Sequence, residues 1–147
     1  RGYFRTEKRI GKIMKKKPVI MIGMIAAVFL IYFVGPGFMK NSAVYIEDYT
    51  VNADGSEITI HTGMASSMGY IRKASISQQE GGHLYVDFYS AFGGVNGSIG
   101  AKDVYTLPLK EETDIIGIYR NPNCYEQVLV KDDDGVWKKR HSSAQIY

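Results

Sequence analysis

The chain has 147 residues and a formal net charge of +3, enough for one domain of ordinary size beside a membrane segment. The charge is unevenly split: residues 1–17 hold eight basic side chains against Glu7, a net of +7, whereas residues 18–147 hold ten basic and fourteen acidic ones, a net of −4. The single cysteine, Cys124, excludes an intrachain disulfide, so a folded domain here must be held by its apolar core.

Within the basic segment, Ile10, Ile13 and Met14 recur at three- and four-residue spacing, which predicts a short amphipathic helix. A basic arm is also what a nucleic-acid-binding tail looks like. Its place directly before an apolar run makes membrane topology a sufficient reason for the charge, so nucleic acid is not an expected partner. Lys15, Lys16 and Lys17 are expected to anchor this end on anionic lipid headgroups, each contributing about 1 kcal/mol. The numbering opens on Arg1, which leaves room for a preceding segment.

From Pro18 to Met39 no residue is charged. At about 1.5 Å per residue, Val19 to Phe38 matches the roughly 30 Å hydrocarbon layer of a bilayer. A buried core helix would be shorter and apolar on one face only. A cleaved signal would have a shorter apolar core and a small-x-small site, and the nearest such triplet, Gly35-Pro36-Gly37, has proline at its centre. The reading is a transmembrane helix over 18–39, ended by Gly35, Pro36 and Gly37. Positive charge stays on the cytoplasmic side, so residues 1–17 are expected inside and the rest of the chain outside the cytoplasm.

After a short polar linker, 40–42, the apolar period changes to two. A strand runs from Ala43 to about Val51, with Val44, Ile46 and Asp48 on one face and Tyr45, Glu47 and Tyr49 on the other. Asn52-Ala53-Asp54-Gly55 is a turn. Ile58, Ile60 and Thr62 then alternate with Glu57, Thr59 and His61 as in a half-buried strand. Gly63 to Gly69 reads as a loop, and Tyr70 to Gln78 as a bulged strand. From His83 to Ser90, Leu84, Val86 and Phe88 point to the core, while His83, Tyr85, Asp87 and Tyr89 point away. The glycines between Phe92 and Ala101 suggest a flexible loop. Val104 to Leu109 is a strand, and Pro108 implies that it lies at an edge or terminates there. Asp114 to Arg120, Tyr125 to Lys131 and Val136 to Lys139 complete the series, with turns at 121–123 and 132–135. About eight antiparallel strands at such spacing predict an all-β fold, an immunoglobulin-like or similar β-sandwich over 43–140, with 141–147 as a tail.

Candidate chemistry is sparse. Asp132, Asp133 and Asp134 offer calcium-type oxygens without the alternating spacing and closing glutamate of an EF-hand; a hairpin turn explains them. His61, His83 and His141 lack zinc-ligand spacing. Neither G-x-S-x-G nor S-x-x-K occurs, and no glycine loop for phosphate precedes a helix. No catalytic residue, metal or cofactor is therefore assigned. Cys124 is expected to be a small half-buried residue. Asn96-Gly97-Ser98 fits a glycosylation acceptor. The remaining signal is aromatic: Tyr85 and Tyr89, with His83, would line a solvent face able to stack on sugars or anchor a protein partner, although tyrosine also serves ordinary cross-strand packing.

Leu84-Tyr85-Val86-Asp87-Phe88-Tyr89, the glycine loop after it, and Lys131-Asp132 with Gly135-Val136-Trp137 resemble small surface proteins of Gram-positive bacteria. The resemblance implies one signal-anchor helix carrying an extracytoplasmic β-sandwich, and no active site. The expected function is a membrane-anchored extracytoplasmic binding module, not an enzyme. Its partners would be the bilayer and an envelope protein, with carbohydrate as a further ligand class. The alternative is an accessory subunit of a membrane complex, assembled partly through a helix face bearing Gly23, Ala26 and Ala27.

Overall fold

A computed structural model describes residues 16–140, with side chains from Pro18 onward. The expected amphipathic arm, its anchoring Lys15 and the tail from His141 lie outside the described residues, as do the side chains of Lys16 and Lys17. Helix α1, Lys16–Val34, is followed by a 3-10 turn, Gly35–Phe38. Pro36, inside that turn, lacks the amide hydrogen an α-helix would need. The segment Pro18–Phe38 is long and apolar enough to cross a membrane; no residue from Pro18 to Val34 is buried, and Gly37 in the turn is.

Among the described residues eight strands follow: β1 Val44–Val51, β2 Glu57–Met64, β3 Ile71–Glu80, β4 His83–Ser90, β5 Val104–Pro108, β6 Ile115–Asn121, β7 Cys124–Lys131 and β8 Trp137–Lys139. They form a three-stranded sheet, β1-β2-β5, and a five-stranded sheet, β3-β4-β6-β7-β8. Val44, Ile58, Ile60, Tyr105 and Leu107 from the first sheet meet Ile71, Leu84, Val86, Phe88, Ile116, Ile118, Leu129 and Trp137 from the second in one core. Full burial of such side chains stabilises by roughly 1.5–3 kcal/mol each. Pro108 implies an edge position or a strand end, and β5 both lies at an edge and ends at Pro108.

Four local expectations are corrected. The strands are not all antiparallel: β4 and β6 pair in parallel over His83–Val86 and Ile115–Ile118. The chain between them makes a single strand, β5, in the opposite sheet, so β6 re-enters in the direction of β4. In β1 the register shifts between Ile46 and Asp48. This bulge reverses the alternation, so Asp48 is exposed and Tyr49 half-buried, since an extra residue turns the remainder of the strand to the other face. Cys124 is exposed, because it opens β7 at a turn. Asp87 points away from the inter-sheet core yet is only 4% exposed, because side chains from neighbouring segments cover it.

The linker is part of the sheet. Parallel pairing of β4 with β6 stops at Val86, and beyond it residues 39–41 take over the free edge of β4. The Asn41 amide donates to the Phe88 carbonyl at 2.7 Å and that of Ser90 to Met39 at 3.3 Å. Arg120 on β6 closes the gap by donating to the carbonyls of Ser42 and Val44 at 2.6 and 2.7 Å. The glycine loop is held as well: Phe92 and Ile99 exchange backbone hydrogen bonds, and the Gly93 amide donates to the Phe33 carbonyl of α1 at 2.8 Å. At Gly94, whose φ is +90°, a Cβ would come within 2.6 Å of the Tyr32 ring, so only glycine allows the loop to lie against the helix. The β2–β3, β4–β5 and β6–β7 connections share this end with α1. Strand direction places β1–β2, β3–β4, β5–β6 and β7–β8 at the opposite end.

Candidate functional site

Three of those far connections enclose a cleft between the sheets. The first is fixed by its own side chains. Asn52 Oδ1 accepts from the Glu57 amide at 2.9 Å, and Asp54 Oδ1 accepts from the Ser56 amide and hydroxyl at 2.9 and 2.7 Å. The two bonds from Ser56 hold the Asp54 carboxyl below its ordinary value, the hydroxyl contributing most. In the last, Asp132 Oδ1 accepts from the amides of Asp134 and Val136 at 3.1 and 2.9 Å, while Lys138 pairs with Oδ2 at 2.5 Å. Lys138 and the Val136 amide accordingly lower the Asp132 carboxyl. Such turns are what short acidic side chains form beside positive-φ glycine. Between them, the buried Thr113 hydroxyl accepts from the Lys110 amide at 3.2 Å and from Gln79 Nε2 at 3.3 Å. The Leu109 amide donates to Ser56 at 2.7 Å, tying the β5–β6 connection to the first turn.

The cleft has a volume of about 660 Å³ and is lined by Tyr49, Val51, Leu109, Val136 and Trp137, with Lys110, Lys131, Asp54 and Glu111 among its polar groups. The Tyr49 hydroxyl donates to the Trp137 carbonyl, joining β1 to β8 across the floor. The size suits a small-molecule or peptide-side-chain site, where aromatic and apolar walls supply contact area and a few charges orient the ligand. Charges of both signs favour a ligand bearing both. Asp132, by composition an oxygen donor for calcium, spends its carboxylate on turn amides and Lys138. Among the described residues no three His, Cys, Asp or Glu side chains converge on one point. His61 lies on β2 and His83 on β4, in different sheets, and His141 is outside the described residues.

The aromatic residues singled out from the sequence lie on the outer face of the five-stranded sheet, and only two of them come together. The His83 and Tyr85 rings stack with centroids 5.7 Å apart, and His83 Nδ1 shares a hydrogen bond with the Tyr85 hydroxyl at 3.2 Å. Tyr85 lies over Gly117, where a Cβ would fall 2.9 Å from its ring, and continues into Tyr125 at 4.8 Å and Tyr119 beyond it at 5.9 Å. Tyr89 stands apart from that run, with the Lys73 ammonium over its ring at 5.8 Å. Nothing in the local pattern marks Tyr125, yet it organises this face. Its hydroxyl donates to Asp87 Oδ1 at 2.8 Å, and Lys40 reaches Asp87 Oδ2 at 2.7 Å. The bond to Asp87 raises the Lys40 ammonium above its ordinary value. Lys40 also sits 4.9 Å above the Tyr119 ring. This face is thus internally paired, and it buries a carboxylate that a solvent face would leave wet.

Local pattern hides the cleft, because plain alternation turns Tyr49 outward and Trp137 only closes the strand series. Strand counting holds a usable signal. Alternate connections must share an end, and those opposite α1 carry the acidic runs and the single tryptophan. No protein-family model, curated protein or solved structure matches the chain.

Proposed function

We propose that the chain is a membrane-tethered binding module, in which α1 crosses the bilayer with residues 1–17 on the cytoplasmic side. The two-sheet body then stands outside the cytoplasm as a β-sandwich, and the far cleft receives the ligand. The observation that carries this reading is the position of the cleft: it opens at the end of the body opposite α1, where a tethered domain meets its surroundings. Its walls combine Trp137 and Tyr49, the residue types that dominate binding energy in desolvated pockets, with ammonium and carboxylate groups. A partner protein presenting a charged, partly apolar segment is the occupant that fits this lining best. Carbohydrate stacking on His83, Tyr85 and Tyr125 is a second mode, supported by the contiguous rings on the outer face.

The test is photo-crosslinking in native membranes, with the reactive side chain placed at Val136 or Glu111 on the cleft and at Ser77 on the outer face. Adducts confined to the two cleft positions support the cleft. Adducts from Ser77 alone move the site to the aromatic face. The accessory-subunit alternative draws on a shallow apolar groove along α1 formed by Ile22, Ile25, Ala26, Phe29 and Leu30. Exchanging α1 for an unrelated apolar helix separates the two, since a binding module keeps its cleft adducts and a helix-assembled subunit loses them.

A further inference from the structure

The two ends of the body differ in a way that tethering alone does not require. From Ala91 to Ala101, and again from Gly63 to Tyr70, the chain carries no charged residue. Both stretches lie at the α1 end, bridged by the Gly69 amide donating to Asn96 Oδ1 at 3.0 Å. Together they present Met68, Tyr70, Val95 and Ile99 outward, the last two 62% and 65% exposed. Apolar side chains grouped this way on a soluble surface would mark an interaction site.

Their height along α1 identifies the partner. The loop touches the helix at Tyr32 and Phe33, and Val19 to Tyr32 accounts for only about 20 Å of helix. A hydrocarbon layer of about 30 Å beginning at Val19 therefore extends past the point where the loop is docked. Irregular backbone is tolerated at that depth only when its polar groups are satisfied within the protein. The loop meets part of this requirement: Phe92 and Ile99 bond each other, Gly97 donates to Gly94, Ala101 to Ser98, and Gly93 to the Phe33 carbonyl near the end of α1.

We infer that loop 91–101 is embedded in the bilayer, with Val95 and Ile99 among the acyl chains of the outer leaflet and Met68 and Tyr70 beside them at the interface. The body is thereby seated on lipid as well as tethered to it. Lys40 and Arg72 then stand at headgroup level, where cationic side chains are favoured. The seating rests on the proposed crossing of the membrane by α1.

The test uses the full chain carrying Cys124→Ser, with one added cysteine at Val95, Ile99, Met68 or, as the far-end reference, Glu111. Each is labelled with an environment-sensitive fluorophore and reconstituted in vesicles of phosphatidylcholine and phosphatidylglycerol with nitroxide-bearing acyl chains. Labels at Val95 and Ile99 are expected to emit to the blue of the Glu111 label and to lose most of their emission to the nitroxide. Met68 serves as an independent position if a loop substitution disturbs folding. If the chain resists alkaline carbonate but the Val95, Ile99 and Met68 labels behave as in water, the seating is wrong and the tether stands. Equal quenching at Glu111 also overturns the seating, because contact is then not confined to one end. Extraction by carbonate overturns the membrane reading and the seating together.

Discussion

The end of the body next to α1 and the end opposite it are built from the same strands but closed by different chemistry. Next to α1, long-range contacts do the closing. Residues 39–41 extend the edge of β4, Arg72 donates to the Gly37 carbonyl at 2.6 Å and stacks on Phe92 at 4.4 Å, and the Thr62 amide donates to the Asp103 carbonyl at 2.7 Å. At the far end the three connections around the cleft are each fixed in part by their own short polar side chains, and the sheets part between them. A body so arranged contacts its helix at one end, through Phe33 and Tyr32, and opens between its sheets at the other.

The largest effect expected from testing this contrast is at the far end. Trp137 is 8% exposed, and Trp137→Ala should cost about 3 kcal/mol in urea unfolding, the usual range for removing a large core aromatic. A loss below about 1 kcal/mol would mean that the cleft floor contributes little to the core.

Asp87→Ala should cost less, about 2 kcal/mol, by leaving the Lys40 ammonium and the Tyr125 hydroxyl without their acceptor. Its signature is local: hydrogen exchange should quicken at the Asn41 and Ser90 amides, which join residues 39–41 to β4, and stay unchanged at Ile116. Faster exchange at both ends would show that the body opens as one unit.

The smallest effect is a difference in pH response. Folding raises Tyr105 from 10.0 to about 12, mainly through burial, and also raises Lys40. The unfolded chain therefore loses these protons first, so the Tyr105 contribution is complete below about pH 10 and declines toward pH 12, and that of Lys40 is likewise lost only on the alkaline side. Folding lowers Asp54 and Asp132, so their contribution is complete above their ordinary value of 3.8 and lost as the pH falls below it. Tyrosinate absorbance should show a late step in base from Tyr105, with Tyr45, which its bond to Glu47 also raises, as a second delayed group, while Trp137 emission shifts first in acid. A Trp137 shift that instead followed the alkaline limb would erase the distinction between the ends.

Much of the strand series is legible from local pattern. In β4, Leu84, Val86 and Phe88 alternate so regularly that their burial follows from the pleat alone. Asn52 to Ser56 and Asp132 to Gly135 announce turns through residues whose side chains bond their own backbone. The failures share one cause. Alternation turns Tyr49 outward because a bulge at Glu47 leaves no mark in composition, and it leaves Asp87 in solvent because its cover comes from Lys40 and Tyr125, 47 and 38 positions away by their numbering. The glycine loop reads as flexible for the same reason, since the helix that orders it lies some 60 residues earlier in the chain.

By itself, then, the sequence determined the apolar rod, its charge asymmetry and a run of β-strands, because hydrophobic periodicity and turn chemistry act over a few neighbouring residues. Only the tertiary structure decided the parallel pairing of β4 with β6, the annealing of residues 39–41 onto the sheet and the cleft beneath Trp137. Each depends on which distant segments meet, and that is settled by competition for a shared core and for unpaired backbone groups.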